Sequence, residues 1–333
     1  MGPAARCTLA VVLCLLAISP SSAQVFNQEG PCVFPVRVSG KYGLIDHQGQ
    51  QVAPPQFDEV GAVVNGRAVV AIGDRWGYID GSGAIVIPPQ FAGATPFYEA
   101  GSPAAVKVGG KWGYIDSDGT IVIAPQFDDA ESFYDGLALV ERNSRTMYID
   151  AGGHVVIDRQ FDTASSFSEG LAAVRVKDRW GYIDKRGNYA IEPQFQDAFL
   201  FTQGTALVQA GGRWMYIDAH GTPRIAQQFE FALPFFGDRA AVRIKARWGF
   251  IDTAGNLVIA PQFEEVLGGF SEGLAAVKAE GRWGYIDPGG RMVVAPYFDE
   301  ASSFFCGLAL VKIGPQRGYI DQAGRFVWGL ANW

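Results

Sequence analysis

The residues in this sequence whose chemistry could drive a reaction are few and widely spaced. Histidine, the side chain best suited to proton transfer and metal binding near neutral pH, occurs as His47, His154 and His220 only. Each lies in or beside a different Asp-x-x-Gly stretch, which predicts exposed turn positions too scattered for a metal cluster. Asp116-Ser117-Asp118-Gly119 opens like a calcium loop, but its twelfth position is Phe127, not the Glu that would close the coordination shell. The acidic neighbours Asp128-Asp129 and Glu264-Glu265 would point to opposite sides of an extended chain, so they read as solvated connector charges and not as an acid/base pair. The expectation is a protein that is not an enzyme and uses no cofactor or metal.

One series has binding character. Trp76, Trp112, Trp180, Trp214, Trp248 and Trp283 recur at constant phase. As a ladder on one face they could stack on sugar rings or on an extended peptide. Alternatively they fill the core between repeats, with the Gly that follows making room for a neighbour's Phe. The core reading is preferred, because so much large apolar surface has to be buried somewhere.

The elements that must position these rings are visible in Lys111 to Phe127. Trp112, Tyr114 and Asp116 alternate along one strand, and Ile121-Val122-Ile123 form the return strand, stopped by Pro125, which has no N–H for a ladder. Between them Asp116-Ser-Asp-Gly119 reads as a type I turn with the Asp bonded back to the backbone and Gly where a left-handed residue is needed. The same Asp recurs as Asp46, Asp80, Asp116, Asp150, Asp184, Asp218, Asp252, Asp287 and Asp321, each with Gly three positions later. The gaps are 34, 36, 34, 34, 34, 34, 35 and 34 residues, which marks a tandem repeat. A third strand precedes each hairpin, as in Leu171-Ala-Ala-Val174, and a ten-residue connector with Phe anchors follows. The fold class expected is all-β: nine three-strand meander repeats of period about 34 forming a β-solenoid-like array, with a closed propeller-like ring as the alternative.

Residues 1–23 are set apart from this pattern. Arg6, the apolar run Leu9 to Ile18 and the small residues Ser21-Ser22-Ala23 read as a signal peptide cleaved before Gln24. Residues 24–34 form a lead-in and 35–333 the repeat domain. The mature chain is expected to be exported, periplasmic or extracellular, with no membrane span after cleavage, and a monomer. Losing Arg6 and no acid takes the formal charge from −7 to −8, which argues against a nucleic-acid partner. The two cysteines left, Cys32 and Cys306, would be distant in an open array, so two free thiols are expected.

The pairs Trp76-Gly77, Trp112-Gly113, Trp180-Gly181, Trp248-Gly249 and Trp283-Gly284, each preceded by a basic residue and followed by an aromatic-Ile-Asp, resemble the WG (KWG) repeat of bacterial proteins. Pro-Gln-Phe closes several units, at Phe57, Phe91, Phe127, Phe195 and Phe263. The pattern breaks at Thr146-Met147 and Trp214-Met215, and Pro is missing before Phe161 and Phe229. Those units are expected to be less regular. The resemblance implies a β-repeat array with an interaction role in or outside the cell envelope and no agreed catalytic activity. The function expected is a non-catalytic scaffold that binds protein or cell-envelope polysaccharide through a repeat face; an enzyme hidden on a repeat scaffold, or a structural spacer, are the alternatives.

Overall fold

A computed structural model describes residues 32–332, so the expected signal peptide lies outside the described residues. Packing divides the described chain into two units, 32–201 and 202–332. Every regular element among the described residues is a β-strand.

In the first unit a three-stranded sheet (Val33–Val38, Lys41–Asp46, Gln51–Phe57) is followed by four-stranded ones. Its first strand opens two residues inside the expected lead-in. The third sheet is representative: Gly93–Ala94, Ala104–Val108, Lys111–Ile115 and Ile121–Phe127, paired antiparallel in chain order. In the second unit the sheets starting at Phe231, Glu265 and Glu300 have the same order. Two expectations are corrected here. The connector is not only a link, because its start forms a strand that completes each four-stranded sheet. And the hydrogen-bonded ladders close within one repeat, whereas a solenoid would pair strands between repeats. These up-and-down sheets are propeller blades, so within the all-β repeat class the propeller-like alternative is the one matched.

The turns form as their sequence dictates. In each, the Asp side chain accepts the backbone N–H groups two and four residues on, as at Asp184 from Arg186 and Asn188, both at 2.9 Å. The Gly N–H closes the turn on the Asp carbonyl, and Gly187 has φ +81°. A Cβ on Gly187 would also lie 3.0 Å from Ile157 of the preceding repeat. Turn and inter-repeat packing thus require glycine for separate reasons.

Successive sheets join through side chains. Tyr114 of one repeat is fully buried against Phe133 of the next, ring centroids 5.0 Å apart, and its hydroxyl donates to the Glu131 carbonyl at 2.9 Å. Tyr78, Tyr148, Tyr182, Tyr216 and Tyr285 repeat this bond with the carbonyl seventeen residues on. A buried ring that also satisfies its hydroxyl fixes both the spacing and the angle between sheets. The resulting clusters, such as Tyr114, Ile123 and Phe127 with Phe133, Val140 and Ile149, each draw on two neighbouring repeats. Desolvation pushes these buried phenols well above their usual range. Cys32 and Cys306 are each disulfide-bonded, which corrects the expectation of free thiols.

Candidate functional site

The six tryptophans divide by environment. Trp180 and Trp214 are buried, while Trp76, Trp112, Trp248 and Trp283 are half-buried. Trp112 lies on Gly93, where a Cβ would approach its ring to 3.0 Å, and the Lys107 ammonium sits 5.7 Å from its centroid. Lys278 covers Trp283 in the same way at 6.0 Å. Phe231 stands between Trp214 and Trp248, with centroids 5.3 and 5.8 Å away. The rings are held by neighbours on several sides rather than presented as a continuous face.

The glycine after each Trp has another role than the one expected. A Cβ on Gly113 would lie 2.5 Å from the Ile123 carbonyl oxygen and 2.7 Å from the Pro125 nitrogen. The neighbour is backbone of the same repeat, not a Phe of another. Gly77, Gly181, Gly249 and Gly284 meet the same wall. Trp112 pairs with Phe127 and Tyr114 with Ile123, so Ala124 to Gln126 bulge opposite Gly113, and proline's fixed φ holds the bulge there. Where Met147 replaces the glycine, the Pro is absent and the outer strand shrinks to Val155–Ile157. Where Met215 replaces it, only the bridges Trp214–Phe229 and Ile217–Pro223 remain. The two irregularities in the sequence have one steric cause.

In four repeats the basic residue before Trp (or before Tyr42 in the first) and the acid after the closing Phe form a staple that the sequence reading missed. Lys111 pairs with Asp128, whose other oxygen accepts the Asn143 N–H at 2.6 Å across the next sheet's hairpin. Lys41 with Asp58, Arg247 with Glu264 and Arg282 with Asp299 repeat the arrangement. The signal was present as a constant seventeen-residue spacing between base and acid. The turn aspartates are likewise occupied: backbone N–H donation from Thr222 holds the Asp218 carboxyl below its ordinary range, and donation from Arg291 does the same for Asp287. His47, His154 and His220 are exposed in their turns, and no group of three or more potential metal ligands occurs among the described residues.

The surface feature left is the outer strand of each sheet. In the Lys111–Phe127 repeat, Ile121 and Val122 are each 47% exposed. Ile85-Val86 and Val155-Val156 occupy the same place in the neighbouring repeats, as do Leu257-Val258 and Val293 in the second unit. The strands Gln51–Phe57, Ile85–Phe91, Ile121–Phe127, Leu257–Phe263, Met292–Phe298 and Phe326–Asn332 contain no charged residue, in a chain with 27 basic and 34 acidic side chains. Exposed edges are ordinarily guarded by charge, and here proline and bulges guard the backbone while the side chains stay apolar.

A family profile described as WG containing repeat matches eight tandem segments, residues 42–76, 76–112, 112–145, 147–180, 180–214, 214–247, 248–283 and 283–314. No curated protein matches the chain by sequence. Among solved structures, a eukaryotic initiation factor superimposes with TM-score 0.61 at 12% identity, covering 91% of this chain and 96% of its own. Hsv2 of Kluyveromyces lactis gives TM-score 0.42 at 10% identity over 69% of this chain and 94% of its own. The dihydro-heme d1 dehydrogenase NirN gives 0.46 at 13% identity over 78% and 72%. The first of these supports the fold and nothing beyond it. Among the described residues no helix is long and apolar enough to cross a membrane.

Proposed function

Because this chain belongs to the WG containing repeat family, we propose that it is a non-catalytic binding scaffold, exported to the periplasm or beyond, that takes a protein partner on its outer strands. The observation that carries this reading is the recurrence of exposed Ile, Val and Leu on strands that contain no charge. Contiguous apolar surface of that kind marks interaction sites on soluble proteins. A glycan partner would need accessible ring faces, and Trp180 and Trp214 are buried while lysines, a glycine or another aromatic sit against Trp112, Trp248 and Trp283. Export is supported by the signal-peptide pattern of residues 1–23 and by the disulfide bonding of Cys32 and Cys306, which fits an oxidising compartment.

The test is capture by the immobilised mature chain from envelope protein extracts and, separately, from purified cell-wall glycans. The wild type is expected to retain protein, and the double variant Ile121→Lys, Val122→Lys to lose it with its melting temperature preserved. Retention of glycan alone, equal for both forms, would overturn the reading.

A further inference from the structure

The repeat with Thr146-Met147 in place of Trp-Gly departs from its neighbours in a second way. At the phase of Pro125, Pro193 and Pro261 it has Arg159, and its outer strand ends at Ile157, so Asp158 to Phe161 leave the ladder. The arginine turns to the next repeat. Its Nη1 donates to the Gly187 carbonyl at 3.3 Å, and its guanidinium carbon lies 4.0 Å from the Tyr189 ring centroid. Close packing of Ile157 on Gly187 sets the turn from Asp184 to Gly187 beside this strand. Arg159 thus reaches the residue next to Arg186, and both side chains are exposed.

Acidic side chains outnumber basic ones in this chain, 34 to 27, yet neither guanidinium is paired with a carboxylate among the described residues. Three neighbouring acids are engaged elsewhere. Asp158 holds Arg145 at 3.0 Å, Asp135 holds Lys185 at 2.7 Å, and Asp184 accepts the Arg186 and Asn188 backbone N–H groups and the Asn188 amide. Arg159 uses one of its five N–H donors on Gly187. Two exposed guanidinium forks with donors left over match a carboxylate, which accepts arginine in bidentate fashion. Val155 and Val156, 44% and 43% exposed on the same short strand, add apolar contact beside the charge. A sugar would find no ring to stack on, because Arg159 and the core cluster of Tyr148, Ile157 and Phe167 both pack on Tyr189. Cationic and apolar contacts side by side suit a peptide that carries both acidic and apolar side chains.

We propose that Arg159 and Arg186 form a carboxylate-binding site that receives an acidic segment of a protein partner. The proposal rests on the reading of the chain as a protein-binding scaffold, and it names the chemistry of what that scaffold takes at this repeat.

Fluorescence anisotropy of a labelled eight-residue peptide of alternating Glu and Val, titrated with the mature full chain, tests it. Saturable binding is expected that weakens as salt rises, and the same peptide with Gln in place of Glu is expected not to bind. The Arg186 side chain forms no hydrogen bond or ion pair among the described residues, so Arg186→Glu is expected to weaken binding by about tenfold or more with the melting temperature unchanged. Arg159→Lys is expected to weaken it as well, because an ammonium keeps the charge but not the fork. No saturation up to about 1 mM, or equal affinity of wild type and Arg186→Glu, would overturn the site. Tighter, Arg186-dependent binding of oligogalacturonate would also overturn it, since the ligand would then be an acidic glycan. If the peptide does not bind but envelope protein is still captured in a way that Ile121→Lys, Val122→Lys abolishes, the site fails and the scaffold reading stands.

Discussion

At the scale of single residues, the glycines at 77, 113, 181, 249 and 284, each following a tryptophan, are tightly constrained. Adding one methyl at Gly113 places carbon 2.5 Å from a carbonyl oxygen that belongs to backbone and cannot rotate away. Gly113→Ala is therefore expected to destabilise by on the order of 3 kcal/mol in chemical denaturation, far more than an Ala substitution at exposed Gln126. Trp180, buried at 5% exposure, is expected to lose roughly 3–5 kcal/mol as Trp180→Ala; an unchanged denaturation midpoint would show that its packing is not part of the core. Two of the turn aspartates contribute to the acid limb of stability. Asp218 and Asp287 have carboxyls held below their unfolded range, so their contribution is present above that range and lost as pH falls through the folded value. Melting temperature should hold from neutral pH down to about 5 and drop below about 4. Asp287→Asn should flatten that acid limb.

At the scale of the element, the outer strand depends on what faces it. The bulge at Ala124 to Gln126, the proline within it and the glycine opposite form one unit, and the repeats with Met147 and Met215 lose proline and full strand together. The staple between repeats is also an element-level device. Asp128 accepts both the Lys111 ammonium and the Asn143 N–H, so Asp128→Ala should lower the melting temperature more than Lys111→Ala. Equal effects would show that the hairpin cap contributes nothing. Lys185→Ala tests a related point, because Lys185 reaches Asp135 of the preceding repeat at 2.7 Å and its loss is expected to have a small measurable effect.

At the scale of the whole molecule, each repeat closes its own ladder and leans on its neighbours through buried Tyr, Phe and Ile. Stability in such an array is approximately a sum of repeat and interface contributions, which is why a single-ring bond such as Tyr114 to Glu131 matters beyond its own repeat. Covalent linkage adds to this. With Cys32 and Cys306 disulfide-bonded, thiol titration of the denatured, non-reduced mature chain is expected to find neither reactive; titration of both would show that the linkage does not form.

The sequence by itself determined the nine turns and the all-β repeat class, because a turn that needs Asp at one end and glycine at φ > 0 is specified within four residues. It also located the irregular repeats at Met147 and Met215. Tertiary structure decided whatever depends on contacts across repeats or between non-neighbouring strands. That the ladders end within each repeat, that Gly113 faces Pro125, and that Lys111 caps into the next sheet through Asp128 all depend on distances between residues far apart along the chain. The placement of the surface was decided in the same way. Ile121 and Ile123 look alike in the sequence, yet the bulge between them leaves one 47% exposed and buries the other, and only the folded strand shows which side faces solvent.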